Sequence, residues 1–319
     1  MNLFLQLVLF VFIFLIYIHI THQYKKSEDL EVYELDYKNN QYLQDVCNVK
    51  QPSIFSFKPV QPGFYEEVNA DKIEDIEQYD VKVKDTLDYW NEDIESVDYV
   101  LLSHKSSQSL MKTDTKGNYI SEENDHFIED CGLYNQFEEC DAYLKPHFSV
   151  YTKYDIMFGS ENANTPFRYH NNYRYFISVN SGKIRMKLTP WKSCKYLYPI
   201  RDYDTYEFKS LIDPWKTQRK YYSNMEKIKF LEFDLSEGQV IYIPPYWWYS
   251  FKYLETDTLL TAFTYNTIMN CVSNSKDLLL YYIQQSNTKT KPAKTIDLPI
   301  LTNEEVNNEA ETENNVENL

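Results

Sequence analysis

The chain has 319 residues, 43% of them hydrophobic, with 48 acidic against 32 basic side chains for a net charge of −16. That is long and apolar enough for a substantial core, yet only 6 glycines are spread along it, too far apart for a phosphate-cradling loop or a dinucleotide fingerprint. Five cysteines without a C-x-x-C pair, and six histidines without H-x-x-x-H or H-x-H, exclude a zinc ribbon, a thioredoxin-type site and a zinc-protease helix.

Residues 3–20 are almost wholly apolar. At ~1.5 Å per residue they extend roughly 27 Å, near the lower limit of a bilayer crossing. A cleaved signal peptide would carry a charged start, a shorter apolar run and a small-residue cleavage site. Here only Met1 and Asn2 precede the run, and Thr21, His22 and Gln23 follow it with no Ala-x-Ala. Residues 1–22 are therefore predicted to be an uncleaved transmembrane anchor. Lys25 and Lys26 just beyond it place the bulk of the chain in the cytosol as a single-pass protein. The absence of any Asn-x-Ser/Thr sequon agrees with that orientation.

Residues 23–50 read as a polar stalk, and 51–146 as an acidic α+β flank whose segment 66–98 holds thirteen acids against Lys72, Lys82 and Lys84. Helical spacing is expected over 133–144, and Cys131 just before it and Cys140 within it are read as reduced thiols with nothing requiring them to pair. From His147 the texture becomes β-rich. Short alternating runs at 148–158, 173–179, 184–188, 228–235, 239–243, 249–253 and 258–265 are separated by turn signals, including Asn180-Ser-Gly, which reads as a hairpin, and Ser236-Glu-Gly. Residues 147–275 are thus a β-sandwich or barrel core, 276–286 an amphipathic helix, and 287–319 a disordered acidic tail.

Three segments carry a family resemblance: Thr165-Pro-Phe-Arg-Tyr-His, the turn ending Ser181-Gly-Lys, and Glu237-Gly-Gln-Val-Ile-Tyr-Ile-Pro-Pro-Tyr-Trp-Trp-Tyr-Ser. Together they resemble the cupin-like, Jumonji C-type proteins, in the divergent form encoded by large eukaryotic DNA viruses. The resemblance implies a mainly β fold with flanking helices, a double-stranded β-helix (a cupin or jelly-roll-like barrel), here with the N-terminal transmembrane helix. Active members of that family are iron(II) and 2-oxoglutarate oxygenases with two His and one carboxylate on the metal. Set on this chain, the ligand positions fall at Arg168, His170 and Tyr249, all three departing from the pattern. Thr165 and Lys183 fall where the family contacts 2-oxoglutarate, although the turn glycine is displaced by one residue.

A guanidinium at Arg168 has no lone pair for a metal and repels one, and a Tyr249 phenolate is disfavoured by its high ordinary pKa. The expectation is a domain without the iron triad, with no cofactor and no catalytic residue, acting as a binding or scaffold module. A cationic mouth of Arg168 and Lys183, with Arg174 or Arg185, would suit a small anion. A structural cluster of Arg168 and His170 among aromatics is the plainer alternative. An atypical iron and 2-oxoglutarate hydroxylase, with His170 and another ligand such as His147, is the enzymatic rival, and a structural viral membrane or virion component a third reading. Expected partners are the membrane, through residues 3–20, and a small anionic ligand or a protein. Basic residues exceed acidic by fifteen to eight over 165–252, but the acidic flank argues against nucleic acid.

Overall fold

The computed structural model of the chain describes residues 3–286, except 75, 77 and 92–96. The tail expected at 287–319 lies outside the described residues, as does part of the acidic run at 66–98.

Two sheets face one another. The larger runs, edge to edge, Tyr33–Leu35, Ser53–Ser56, Gln239–Tyr242, Arg174–Ser181, Leu259–Thr267, Ser149–Gly159, Tyr119–Ser121, Asp80–Asp85 and Val100–Ser103. The smaller runs Pro199–Asp202, Glu207–Ser210, Arg168–Tyr169, Trp248–Tyr253, Lys183–Thr189 and Leu231–Ser236. Pairing is antiparallel apart from the first two strands of the larger sheet. Between Ser149 and Thr267 the chain crosses repeatedly between the sheets, with the strands from Lys183 to Ser236 all in the smaller one, and the result is two apposed sheets of a mainly β domain with flanking helices.

That alternation changes the reading of the glycine turns. Strands Arg174–Ser181 and Lys183–Thr189 belong to different sheets and do not pair, so Asn180-Ser-Gly is a crossing turn and not a hairpin. Gly182 sits at φ 73°, where a Cβ would lie 2.5 Å from Thr258 Oγ1, so glycine is required there. Gly238, at φ 86°, likewise returns the chain from the smaller sheet to the larger.

Strand alternation sorts the core into layers. Ile177, Val179, Ile241 and Leu260 from the larger sheet meet Ile184, Met186, Leu188 and Phe251 from the smaller. The outer face of the larger sheet (Phe55, Phe176, Val240, Phe263) is covered by helices Pro62–Glu67 and Tyr134–Leu144 through Phe64, Tyr65, Phe137 and Leu144. Outside the smaller sheet, Phe167, Tyr169, Phe208 and Trp248 form a third cluster. Trp247 joins the inter-sheet core and Trp248 the outer one, as their alternation requires. All five cysteines are free thiols.

The N-terminal helix Leu3–Gln23 is almost wholly exposed, with a mean hydropathy of 2.7 over its most apolar window. Its length and composition suit a membrane crossing and equally a signal sequence. The segment after it is not the free stalk that its polarity suggested. Tyr33–Leu35 adds a strand to the larger sheet, Asn40–Cys47 is a helix capped by Asn39, and Gln51 Nε2 donates to the carbonyls of Asp29 and Glu31 at 2.7 and 2.6 Å. Polar side chains here satisfy backbone groups rather than solvating a linker.

Candidate functional site

In the short strand Arg168–Tyr169, alternation turns Arg168 and His170 between the sheets and Tyr169 outwards. Tyr249 lies opposite Arg168 in the neighbouring strand. The three positions expected to replace metal ligands therefore converge. His170 and Tyr249 ring centroids are 6.1 Å apart, the Tyr175 ring lies tilted against both at 4.8 and 5.8 Å, and the Arg168 guanidinium lies 5.7 Å from the Tyr249 ring.

Arg168 is not open to an added anion. Its Nη2 donates to Glu122 Oε2 at 2.7 Å and its Nη1 to Glu122 Oε1 at 3.0 Å, with Glu207 Oε1 at 3.3 Å. Glu122, just past strand Tyr119–Ser121, also accepts from Lys84 Nζ at 3.1 Å and from the Tyr89 hydroxyl at 2.9 Å. Lys84 continues to Glu123 at 2.9 Å, and Lys209 lies 3.6 Å from Glu207. The cluster thus sets Glu122, Glu123 and Glu207 against Lys84, Arg168 and Lys209, three charges of each sign. Glu122, Lys84 and Arg168 are buried, where a bidentate arginine–carboxylate pair is strongest and an unpaired charge most costly.

The proton affinities follow from that neighbourhood. Burial alone would raise Glu122, but Arg168 and Lys84 hold it well below the usual carboxylate range. Burial would lower Arg168 and Lys84, and their carboxylate partners reverse this and raise both. His170 is pushed down to about 3 by burial, only partly offset by backbone hydrogen bonding, so it is neutral at physiological pH. Its Nε2 donates to the Ile243 carbonyl at 3.1 Å, and its Nδ1 has no hydrogen-bond partner among the described residues. Tyr249 is raised by burial, which disfavours a phenolate.

The remaining expected contacts lie elsewhere. Lys183 is on the outer face of its strand, 3.1 Å from Asp234, which also takes Arg185 at 2.7 Å. The inward positions of that strand are Ile184, Met186 and Leu188. Thr165 is fully buried, and its Oγ1 accepts from the Phe251 amide at 3.0 Å, serving the backbone. Arg174 faces the other side of the larger sheet, bonded to Gln44 and Asn48 at 2.8 and 2.6 Å. The cationic mouth expected from these residues is therefore dispersed. His147 is exposed, just ahead of strand Ser149–Gly159.

The ligand chemistry of the oxygenases does not fit these residues. Arg168 offers no lone pair, Tyr249 is held neutral, and among the described residues no three His, Cys, Asp or Glu side chains are grouped to hold a metal ion.

A family model described as the Cupin-like domain matches residues 33–271. The chain belongs to the cupin-like domain family. A search of curated proteins gives no match. The match begins within the segment read as a stalk, as the pairing of Tyr33–Leu35 requires of a true part of the cupin-like domain.

The sequence reading missed Glu122, Lys84, Tyr89 and Glu207. One signal pointed to them: a buried arginine must find an anion, and Ser121-Glu-Glu directly follows a short strand.

Proposed function

We propose that the chain is a membrane-anchored cupin-like module that acts by binding or scaffolding, without iron and 2-oxoglutarate chemistry. The observation that carries this reading is the Arg168–Glu122 pair: the residue at a position that the family motif gives to a metal ligand is instead the centre of a charge-balanced cluster. Arg168, Lys183, Arg185 and Arg174 all have partners within the chain, which favours a protein partner over a small anion.

Retention of the apolar helix as an anchor is supported at its C-terminal end. Lys50 Nζ donates to the carbonyls of His22 and Gln23 at 2.7 and 2.8 Å, and Tyr24 OH donates to the Ser273 carbonyl. These contacts build the helix end into the domain, which a cleaved leader would not need. Lys25 and Lys26 favour a cytosolic domain. The likeness of the 237–250 stretch to divergent viral cupin-like proteins makes a viral membrane component the form of this reading we favour.

The enzymatic rival, an atypical iron and 2-oxoglutarate hydroxylase, retains one donor, the unpartnered His170 Nδ1, next to a fixed positive charge. The test is anaerobic loading of the purified full chain with iron(II), then exposure to 2-oxoglutarate and oxygen. The expected result is no stoichiometric iron and no succinate. One iron per chain with 2-oxoglutarate-dependent succinate would overturn the proposal in favour of the rival.

A further inference from the structure

The N-terminal helix does not leave the domain from a bare corner. The residues in it that are not fully exposed, Ile16, Ile20 and Gln23, form one stripe at helical spacing, and helix Ile268–Ser273 packs against this helix. Twenty-one residues at ~1.5 Å each just match a hydrocarbon thickness of about 30 Å. If the helix crosses a bilayer, its last turn therefore reaches the boundary between acyl chains and headgroups. Helix Ile268–Ser273 is held at that same level.

What the domain presents there is apolar. Ile268 and Val272, four residues apart on one side of the short helix, are exposed. Strand register places Ser149 opposite Thr267, so Phe148 and Ile268 are the residues next beyond that paired end. Phe148 is 86% exposed on a left-handed backbone, φ 60°, an unfavourable conformation for a phenylalanine. The following helix, Ser275–Gln285, is fixed by its inner face. Asp277 accepts from Tyr203 OH at 2.9 Å, and Tyr281 packs on Tyr206 at 5.5 Å. Its outer face carries Leu279, 60% exposed, with Tyr282 and Ile283.

We infer that Phe148, Ile268, Val272, Leu279, Tyr282 and Ile283 form a lipid-contacting surface that seats the domain in the membrane interface beside its anchor. This rests on the anchor reading above. The features are those of an interfacial helix: aliphatic side chains on one face, a tyrosine suited to the headgroup level, and Lys276 as the single charge on the outer side. The occupant favoured over a second protein is the bilayer, because the surface is continuous with a helix whose only fitting environment is hydrocarbon. Seating would hold the domain at one tilt and leave the opposite edge of the larger sheet directed to the cytosol.

The test uses the full chain in phosphatidylcholine vesicles, with a photoreactive benzoylphenylalanine placed at Phe148, Leu279 or Tyr282. The control position is Leu101, an exposed apolar residue in the edge strand Val100–Ser103 of the larger sheet. The expected result is lipid adducts at the three test positions, several-fold above Leu101. Resistance to carbonate extraction without a lipid adduct at Leu279, or with a crosslink to a second chain there, overturns this inference alone. Release of the chain by carbonate overturns the anchor reading, and this inference with it.

Discussion

His170 shows how burial alone removes the ordinary proton chemistry of a histidine. Burial holds its pKa at about 3 against an ordinary 6.5, so the unfolded chain takes a proton that the folded chain refuses. The resulting stabilisation is full above pH 6.5 and is lost as the pH falls from 6.5 towards 3. The urea midpoint of the detergent-solubilised chain should therefore fall less between pH 6.5 and 4.5 in His170→Gln than in the wild type. His104, also lowered by burial, contributes in the same window, so the difference between wild type and His170→Gln isolates the share of His170. Equal slopes for the two proteins would contradict the burial account. Lys183 provides the contrast. Half-exposed and paired with Asp234 on the outer face, its replacement by Ala should cost no more than about 1 kcal/mol, read as a small shift of the urea midpoint at pH 7.

At the scale of elements, the crossing turns and the helix end set the architecture. Gly182→Ala combines a positive φ with a contact to Thr258 and is expected to cost about 1–3 kcal/mol, read as a lowered thermal midpoint. An unchanged midpoint would mean that the turn relaxes freely. Lys50 is 1% exposed and donates to two carbonyls at the end of the N-terminal helix. Losing both bonds should weaken the docking by about 2 kcal/mol. Lys50→Ala should therefore accelerate proteolysis between Lys25 and Lys38, while cleavage elsewhere stays unchanged. Much of this level was legible in advance: the alternating runs, the helix at Tyr134–Leu144, and the Gly-x-Val-x-x-Ile-Pro-x-x-Trp-Trp stretch that led to the family. The partner sheet of each strand was not legible. Turn residues report a reversal of direction but not whether the chain re-enters the same sheet, so a crossing turn at Gly182 looks like a hairpin. The phase of Lys183 was lost for a related reason. A shift of one residue in the turn glycine moves every following side chain to the other face.

For the whole molecule, the net charge of −16 describes little of the physics. The decisive charges are a few buried ones that cancel, contributed by residues 84, 122, 123, 168, 207 and 209 from distant parts of the chain. Arg168, His170 and Tyr249 were legible as a convergent group because a family motif aligned them. Glu122 was not, since it belongs to no motif and meets Arg168 only through the three-dimensional pairing of strands. The central claim is that this cluster is a structural replacement for a metal centre. Its most direct test is a double-mutant cycle on urea unfolding with Glu122→Ala, Arg168→Ala and the pair. The account predicts a coupling of about 2–3 kcal/mol between the two residues. A coupling below about 0.5 kcal/mol, within the range of independent sites, would mean that Arg168 is not committed to Glu122 and would contradict the account.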